Sequence, residues 1–170
     1  MNLTLAKTYS INAISIQNVE SVSENLILLN LELRGDKLYW EARPYHWRYD
    51  FGDFPPLDVS FDSKTGLLKE ITIFINKQQL QQQHSYPLTV LSNVEGYPAF
   101  DTTSLSHNSY YYDELADIVV SLADSCLIAI RKGVDTSVQL KVTDALDILL
   151  TAQSQFAGFI VYKIDHRQFM

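Results

Sequence analysis

The sequence predicts a mostly β fold built from antiparallel hairpins, with at most one or two short helices. Three observations support this prediction. Short segments alternate apolar and polar residues, turn-forming residues separate them, and a strand-turn-strand pattern occurs twice, near residues 57–75 and 146–164. Because a hairpin needs further strands to be stable, we expect both hairpins to share a core, as a sandwich or a strongly bent sheet.

The first of these hairpins, at residues 57–75, has the clearest pattern. Its turn is Asp62–Gly66, in which Gly66 can adopt a positive φ. Asp58 lies on the polar face of its strand. The apolar residues on both sides of the turn share the other face: Leu57, Val59, Phe61, Leu67, Ile71, Ile73 and Ile75.

The segments before this hairpin predict two further elements. Residues 3–16 alternate loosely and predict an edge strand, with a short helix as the alternative, and the polar residues 17–25 predict a connection. Leu26–Leu33 and Leu38–Ala42 flank good turn chemistry at Arg34–Lys37, so we expect them to form a hairpin.

The middle of the chain has weaker patterns. The glutamine-rich residues 76–84 predict a short exposed helix or a polar connection, because their single leucine gives almost no apolar stripe. Residues 85–113 predict mostly loop, with short extended pieces at Leu88–Leu91 and near Tyr110–Tyr112.

Strand patterns return towards the C-terminus. Asp117–Ala123 and Cys126–Arg131 predict a hairpin, because their β-branched residues favour strands, and a helix over Tyr112–Ile130 is the alternative. Val138–Val142 alternates and predicts another strand, and residues 146–164 predict the second of the two similar hairpins.

These two hairpins align without a gap under a shift of 89 residues, from Leu57 to Leu146. Two interpretations are open: a duplication with halves 26–75 and 115–164, or hairpins that share a pattern by convergence. Both predict a single compact domain over residues 1–170. The apolar positions of the first hairpin fall on the apolar residues Leu146, Ile148, Leu150, Phe156, Ile160, Tyr162 and Ile164.

Charge and composition limit the classes of partner. The chain has 13 Lys and Arg against 20 Asp and Glu residues, a formal net charge of −7. Negative charge disfavours nucleic acid and anionic membranes and suits a basic protein partner.

The sequence has neither a signal-peptide pattern nor a membrane-length apolar run, so we expect a cytoplasmic protein. Its single cysteine, Cys126, predicts a buried, unreactive thiol.

Motifs for catalysis or for a cofactor are missing from the sequence. The four histidines have no second His or Cys at metal-ligand spacing, and nucleotide-binding and nucleophile motifs do not occur. Acidic residues cluster between positions 50 and 62 and between 113 and 117, where solvated faces account for them. We therefore expect a protein that is not an enzyme and that has no metal site and no cofactor.

The segment Arg43–Pro56 is the first candidate for a binding site. It has three prolines and five aromatic residues, and we expect an ordered loop with a short strand at Trp47–Phe51. Dense Trp, Tyr and Arg residues are typical of binding hot spots. The alternative is that the aromatic residues close an open end of the β core. Together with a tyrosine run of similar character, the candidate partner-binding residues are Tyr45, His46, Trp47, Arg48, Tyr49, Asp50, Phe51, Asp53, Phe54, Tyr110, Tyr111 and Tyr112.

The chain resembles small bacterial proteins, among them immunity proteins of polymorphic or contact-dependent toxin systems. The resemblance rests on the hairpin Val59–Ile71 (VSFDSKTGLLKEI) and on the small, acidic, cysteine-poor character of the chain. It implies a non-enzymatic protein that binds and blocks a toxin domain. Many such domains are basic nucleases, towards which an acidic surface steers association. The resemblance assigns no inhibitory residues.

Two other functions fit the same sequence. A cleft between the two β units would hold a small ligand or a catalytic site, because pockets favour such junctions. An exposed edge strand would support assembly, and the protein is then a monomer or a homodimer.

Overall fold

The computed structural model describes residues 2–50, 52, 56–83, 88 and 90–170. Over these residues the chain forms fifteen strands, followed by a short 3-10 helix at His166–Phe169. None of the helical residues within these ranges forms a segment with the length and hydropathy of a membrane span. The strands are β1 (Leu5–Tyr9), β2 (Ile14–Ser21), β3 (Leu26–Arg34), β4 (Pro44–Asp50), β5 (Leu57–Asp62), β6 (Leu68–Asn76), β7 (Gln81–Gln83), β8 (Ser92–Glu95), β9 (Tyr97–Phe100), β10 (Tyr111–Leu115), β11 (Ile118–Ala123), β12 (Cys126–Arg131), β13 (Val138–Thr143), β14 (Leu146–Leu150) and β15 (Phe156–Val161).

These strands are arranged in three mostly antiparallel sheets. A six-stranded sheet has the order β10-β4-β5-β6-β3-β2, a seven-stranded sheet has the order β7-β11-β12-β15-β14-β13-β8, and β1 pairs with β9. Parallel pairs form where β10 joins β4, β7 joins β11 and β8 joins β13. The prediction of a mostly β fold with at most one or two short helices is confirmed.

The two large sheets pack face to face around one hydrophobic core. Alternate residues of their strands point inward, as Leu29 and Leu31 do in β3, because successive side chains of a strand lie on opposite faces. Residues of both sheets belong to the same buried cluster. The rings of Tyr49 in β4 and Phe156 in β15 stack between the sheets, with their centroids 5.5 Å apart.

A second apolar cluster lies on the outer face of the seven-stranded sheet. Leu88 and Val134 pack against this cluster. Several strands of the sheet are therefore buried on both faces, which explains why β12, β14 and β15 are almost continuously apolar. The buried members of the cluster are Ala123, Ile128, Ile130, Leu149, Ala157 and Ile160.

Three hairpins occur where the sequence predicts them. They are β5–β6, β11–β12 and β14–β15, and all three are antiparallel. The alternative helix over Tyr112–Ile130 is wrong, because this segment forms most of β10, all of β11 and most of β12. The β-branched residues at the start of β11 favour a strand more strongly than the neighbouring Ala and Leu favour a helix.

The predicted hairpin between Leu26–Leu33 and Leu38–Ala42 is wrong in its second strand. β3 pairs with β2 instead, and β2 covers much of the segment predicted as a polar connection. The inward side of β2 is partly polar, since the Gln17 amide donates a hydrogen bond to the Tyr162 carbonyl at 2.7 Å. The period-two apolar pattern is therefore interrupted, which conceals the strand in the sequence.

Half of the segment Arg43–Pro56, which is predicted as a loop, is the strand β4. The chain tolerates Pro44 there because it is the first residue of the strand. The N–H group that proline lacks therefore interrupts no run of ladder hydrogen bonds before it. Residues 85–113, predicted as mostly loop, likewise contain β8 and β9 and the start of β10. The four residues of β9 are all buried, although one of them is Pro98.

The strands β2–β6 and β11–β15 have the same order in their sheets. The first set has the order β4-β5-β6-β3-β2 and the second has β13-β14-β15-β12-β11. The gapless alignment places Ile160 on Ile71, but these residues have different positions. Ile71 lies in the shared core, whereas Ile160 belongs to the outer cluster, and its neighbour Phe159 lies in the shared core instead. The alignment is therefore displaced by one residue in β15. Duplication of 26–75 as 115–164 stays a prediction.

A buried carboxylate organises the turn between β5 and β6. Asp62 accepts hydrogen bonds from the backbone N–H groups of Glu41, Ala42, Lys64 and Thr65, over 2.6–2.9 Å. Burial by itself raises the pKa of Asp62, but these four donors together hold the pKa below its ordinary value. The carboxylate thereby ties the segment before β4 to the hairpin.

We expect Asp62→Asn to lower the free energy of unfolding by about 2 kcal/mol at neutral pH, because an amide cannot accept all four bonds. The folded-state pKa of Asp62 lies below the unfolded value. Its stabilising effect is therefore full above the unfolded pKa and is lost as the pH falls through the folded pKa. Urea unfolding should show that the difference in the free energy of unfolding between wild type and variant shrinks from neutral to acidic pH. A difference that stays constant would contradict this account.

Candidate functional site

The residues of β4 divide between two faces of the six-stranded sheet. Tyr45, Trp47 and Tyr49 point into the core and are buried, whereas His46 and Arg48 point outward and are half-buried. The next outward residue, Asp50, is exposed at the end of the strand. The period of two in β4 therefore separates the candidate residues into a structural set and a surface set.

The outward side chains of β4 lie beside those of the parallel strand β10. We define the β4–β10 face as the outward side chains of both strands. Arg48 donates two hydrogen bonds to Asp113, at 2.7 and 2.9 Å. This ion pair raises the pKa of Arg48. The members of the face are His46, Arg48, Asp50, Tyr111, Asp113 and Leu115.

Tyr111 is held between two neighbours on this face. Its ring stacks on the His46 imidazole, with centroids 4.9 Å apart and planes 13° apart, and the Arg48 guanidinium lies 5.0 Å from the ring centroid. His46 is fixed in turn by Asp58, whose carboxylate oxygens lie 3.0 and 3.1 Å from Nδ1. Four members of the face, His46, Arg48, Tyr111 and Asp113, are thus connected, and each of these side chains limits the rotation of the next.

The neighbouring tyrosines have different positions. Tyr112 points inward and stacks on Trp47, with centroids 5.8 Å apart. Tyr110 packs against Tyr45 at 5.4 Å and carries the Arg43 guanidinium 4.4 Å above its ring. The predicted site residues are therefore split between core, edge and surface.

Three of the predicted site residues, Phe51, Asp53 and Phe54, lie outside the described residues. Of the others, the surface set is His46, Arg48, Asp50 and Tyr111. The buried aromatic residues support this surface from below.

The structure contains a buried ion pair between the two sheets that is not among the predicted site residues. Glu114, on β10, accepts a hydrogen bond from Arg131 of β12 at 2.7 Å and another from the Trp47 indole at 2.9 Å. Arg131 also donates to the Phe156 carbonyl at 3.0 Å. The two charged side chains are 15% and 12% exposed. Sequence alone offers no signal for this pair, because it joins two different sheets.

Tyr49 lies against the same ion pair. The Arg131 guanidinium sits 5.3 Å from the Tyr49 ring centroid. Burial, and next the charge of Glu114, raise the pKa of Tyr49 well above its ordinary value. Tyr49 therefore stays a neutral phenol, and this cluster anchors β4 and β10 to the opposite sheet.

Groups with reactive chemistry are sparse in the described ranges. Those residues contain no group of three or more His, Cys, Asp or Glu side chains placed to hold a metal ion. Cys126 is half-buried, and its thiol donates a hydrogen bond to the Ala123 carbonyl at 3.0 Å. Burial, and next the charge of Asp124, raise the pKa of Cys126, which disfavours the reactive thiolate.

A wide cleft of about 1430 Å³ lies between the two sheets, at the end where β3 and β13 finish. Its lining carries charges of both signs, including Arg34, Lys37, Asp36, Glu95 and Lys141. Lys141 is shared between Glu95 at 3.8 Å and Asp144 at 3.5 Å. This mixed, polar lining contrasts with the mostly apolar pockets that hold small ligands.

Comparison with known proteins adds no family to these observations. No protein-family model matches the chain, and no curated protein matches it in sequence.

Proposed function

We propose that this protein is a non-enzymatic protein-binding module whose partner contacts the β4–β10 face. The observation that carries the proposal is the exposure of apolar side chains on the outermost strand of a sheet. Tyr111 is 48% exposed and Leu115 is 87% exposed, and both stand on β10. Exposed aromatic and aliphatic groups flanked by charged ones are typical of protein interfaces.

The rigidity of the face supports the same proposal. A side chain that is already ordered loses little rotational freedom when a partner binds. Tyr111 is held by His46 and Arg48, and Arg48 is held by Asp113. The face is also laid over a sheet rather than within a pocket, which suits a protein surface better than a small molecule.

We further propose that the partner is a basic protein, such as the nuclease domain of a bacterial toxin, and that this chain is its immunity protein. The formal net charge of −7 supports a basic partner, because opposite charges speed and orient association. The resemblance of the hairpin Val59–Ile71 to such proteins supports the same class.

The test uses the purified domain of any toxin gene found beside the gene of this protein. We expect Tyr111→Ala and Leu115→Ala each to raise the dissociation constant about tenfold or more in isothermal titration calorimetry, since both remove exposed contact groups. Tyr39→Ala is the matched control, because Tyr39 is a well-exposed tyrosine outside the β4–β10 face. Its dissociation constant should equal that of the wild type.

Two results would contradict the proposal at different levels. Unchanged binding by both variants would show that the partner uses another surface. A gene neighbourhood of unrelated metabolic enzymes, with no toxin gene, would remove the immunity function and leave only the general binding proposal to be tested on other basic proteins.

A further inference from the structure

The two sets of five strands differ at one edge. Each set has two outer strands, which are β4 and β2 in the first and β13 and β11 in the second. A short parallel strand covers three of these four edges, as β10 covers β4, β8 covers β13 and β7 covers β11. In the described part of the chain, no strand pairs with the second edge of β2.

The uncovered strand lacks the features that usually protect an edge. β2 is eight residues long and contains no Lys, Arg or Pro, and its single charge is Glu20. Its register with β3 runs without a bulge from Ile14 to Ser21. Proteins normally guard an exposed edge with such residues or bulges, because a bare edge pairs with another strand.

The backbone groups that face outward from this edge can be identified. The N–H of Val22 donates to the Leu26 carbonyl at 2.9 Å, so Val22 belongs to a hydrogen-bonded pair with the strand beside it. Bonded residues alternate along an antiparallel ladder. The even-numbered residues of β2 therefore bond to β3. The odd-numbered residues direct their N–H and C=O groups to the free edge, and they are Ser15, Gln17, Val19 and Ser21.

We propose that β2 pairs antiparallel with β2 of a second copy of this chain, about a two-fold axis that passes through Asn18. In this register Gln17 faces the partner's Val19, and Ser15 faces the partner's Ser21. Four residues on each side then exchange all their outward backbone bonds, and none is left over. A register centred one residue earlier would leave the groups of Ser21 unpaired.

The side chains support the same register. Ile14 begins the strand and is 63% exposed, and Val22 directly follows the strand and is 48% exposed. The two-fold axis brings each against the other in the partner. Glu20 faces Ile16, so the axis places no like charges together. The strand is thus complementary to itself, which is why a second copy fits this edge better than an unrelated chain.

This inference does not depend on the proposed function. β2 and β10 are the opposite edges of the six-stranded sheet, so the dimer leaves the β4–β10 face open. Loss of self-association and loss of partner binding are therefore separate outcomes, produced by different substitutions.

The test places charges on the axis. Asn18 is exposed, and in the dimer it faces its own copy, so Asn18→Lys brings two like charges together and so does Asn18→Asp. We expect each variant to raise the dimer dissociation constant at least about tenfold in sedimentation velocity. An equimolar mixture of the two variants should recover the dimer, because Lys then faces Asp.

The matched control is Asn93→Lys, an exposed asparagine on β8, and it should dimerise like the wild type. Circular dichroism spectra should show that all variants keep the β fold. A wild-type protein that stays monomeric through the micromolar range would overturn the proposal. So would an Asn18→Lys variant that dimerises as well as the wild type, or a mixture that does not recover association.

Discussion

Gly66→Ala is expected to lower the free energy of unfolding by roughly 3 kcal/mol or more, one of the largest effects of a single methyl group in this protein. Gly66 has a φ of +76°, and a Cβ there would lie 2.1 Å from the Phe100 carbonyl oxygen. The main chains of Gly66 and Phe100 lie close together, because the Phe100 N–H donates a hydrogen bond to the Gly66 carbonyl at 2.8 Å. The added Cβ would therefore collide with backbone atoms. No change of side-chain rotamer relieves this collision, so the hairpin and β9 must separate.

Gly133→Ala provides the control for this prediction. Gly133 has a φ of +77°, and a Cβ added there would meet no atom within 4 Å beyond its chain neighbours. Its substitution therefore carries the backbone strain alone, which is about 1–2 kcal/mol. Urea unfolding of the two variants separates strain from collision. Equal losses of stability would mean that the approach of β9 to the turn contributes nothing.

The turn at Gly66 also shows how far the sequence predicts this fold. The alternation of Leu57, Val59 and Phe61, followed by a turn with glycine, predicts β5–β6 correctly because all three inward residues are apolar. The strand β2 is missed because its inward side includes Gln17, whose hydrogen bond to a distant carbonyl replaces apolar packing. Alternation identifies a strand only where the inward side chains are apolar.

The candidate site is predicted in part. The residues of β4 alternate between aromatic and polar, a pattern typical of a strand, but the nearby prolines favour a loop. Pro44 at the first position of the strand removes this objection. The place of Tyr111 beside His46 depends on the parallel pairing of β10 with β4, a contact between segments distant in the chain that no local pattern encodes. The same holds for the ion pair below the face.

Breaking the ion pair between Glu114 and Arg131 is the second change for which we expect a large loss of stability. We expect Glu114→Ala to lower the free energy of unfolding by roughly 3 kcal/mol, because it leaves Arg131 with a charge that is mostly shielded from water and no carboxylate beside it. The Trp47 indole loses its acceptor at the same time. Arg131→Met should cost less, since Glu114 keeps its bond from Trp47.

The double variant Glu114→Leu with Arg131→Met distinguishes pairing from packing. Replacing both charged side chains with apolar groups of similar size leaves no unpaired charge in the core. We therefore expect the double variant to be more stable than Glu114→Leu alone, with a coupling energy of about 2 kcal/mol in the double-mutant cycle of Glu114→Leu and Arg131→Met measured by urea unfolding. Additive losses would show that the two side chains act independently.

The location of Glu114 gives this prediction a functional consequence. Glu114 points inward from β10 while its neighbours Asp113 and Leu115 point outward on the β4–β10 face. An outermost strand bonded to one neighbour depends on the contacts of its inward side chains, and for β10 these include the bond between Glu114 and Arg131. Hydrogen exchange should therefore show faster exchange of the β10 amides in Glu114→Ala than in Tyr111→Ala, although only Tyr111 lies on the surface. Equal protection of β10 in both variants would mean that its pairing with β4 suffices to fix the face, and that the ion pair stabilises the core alone.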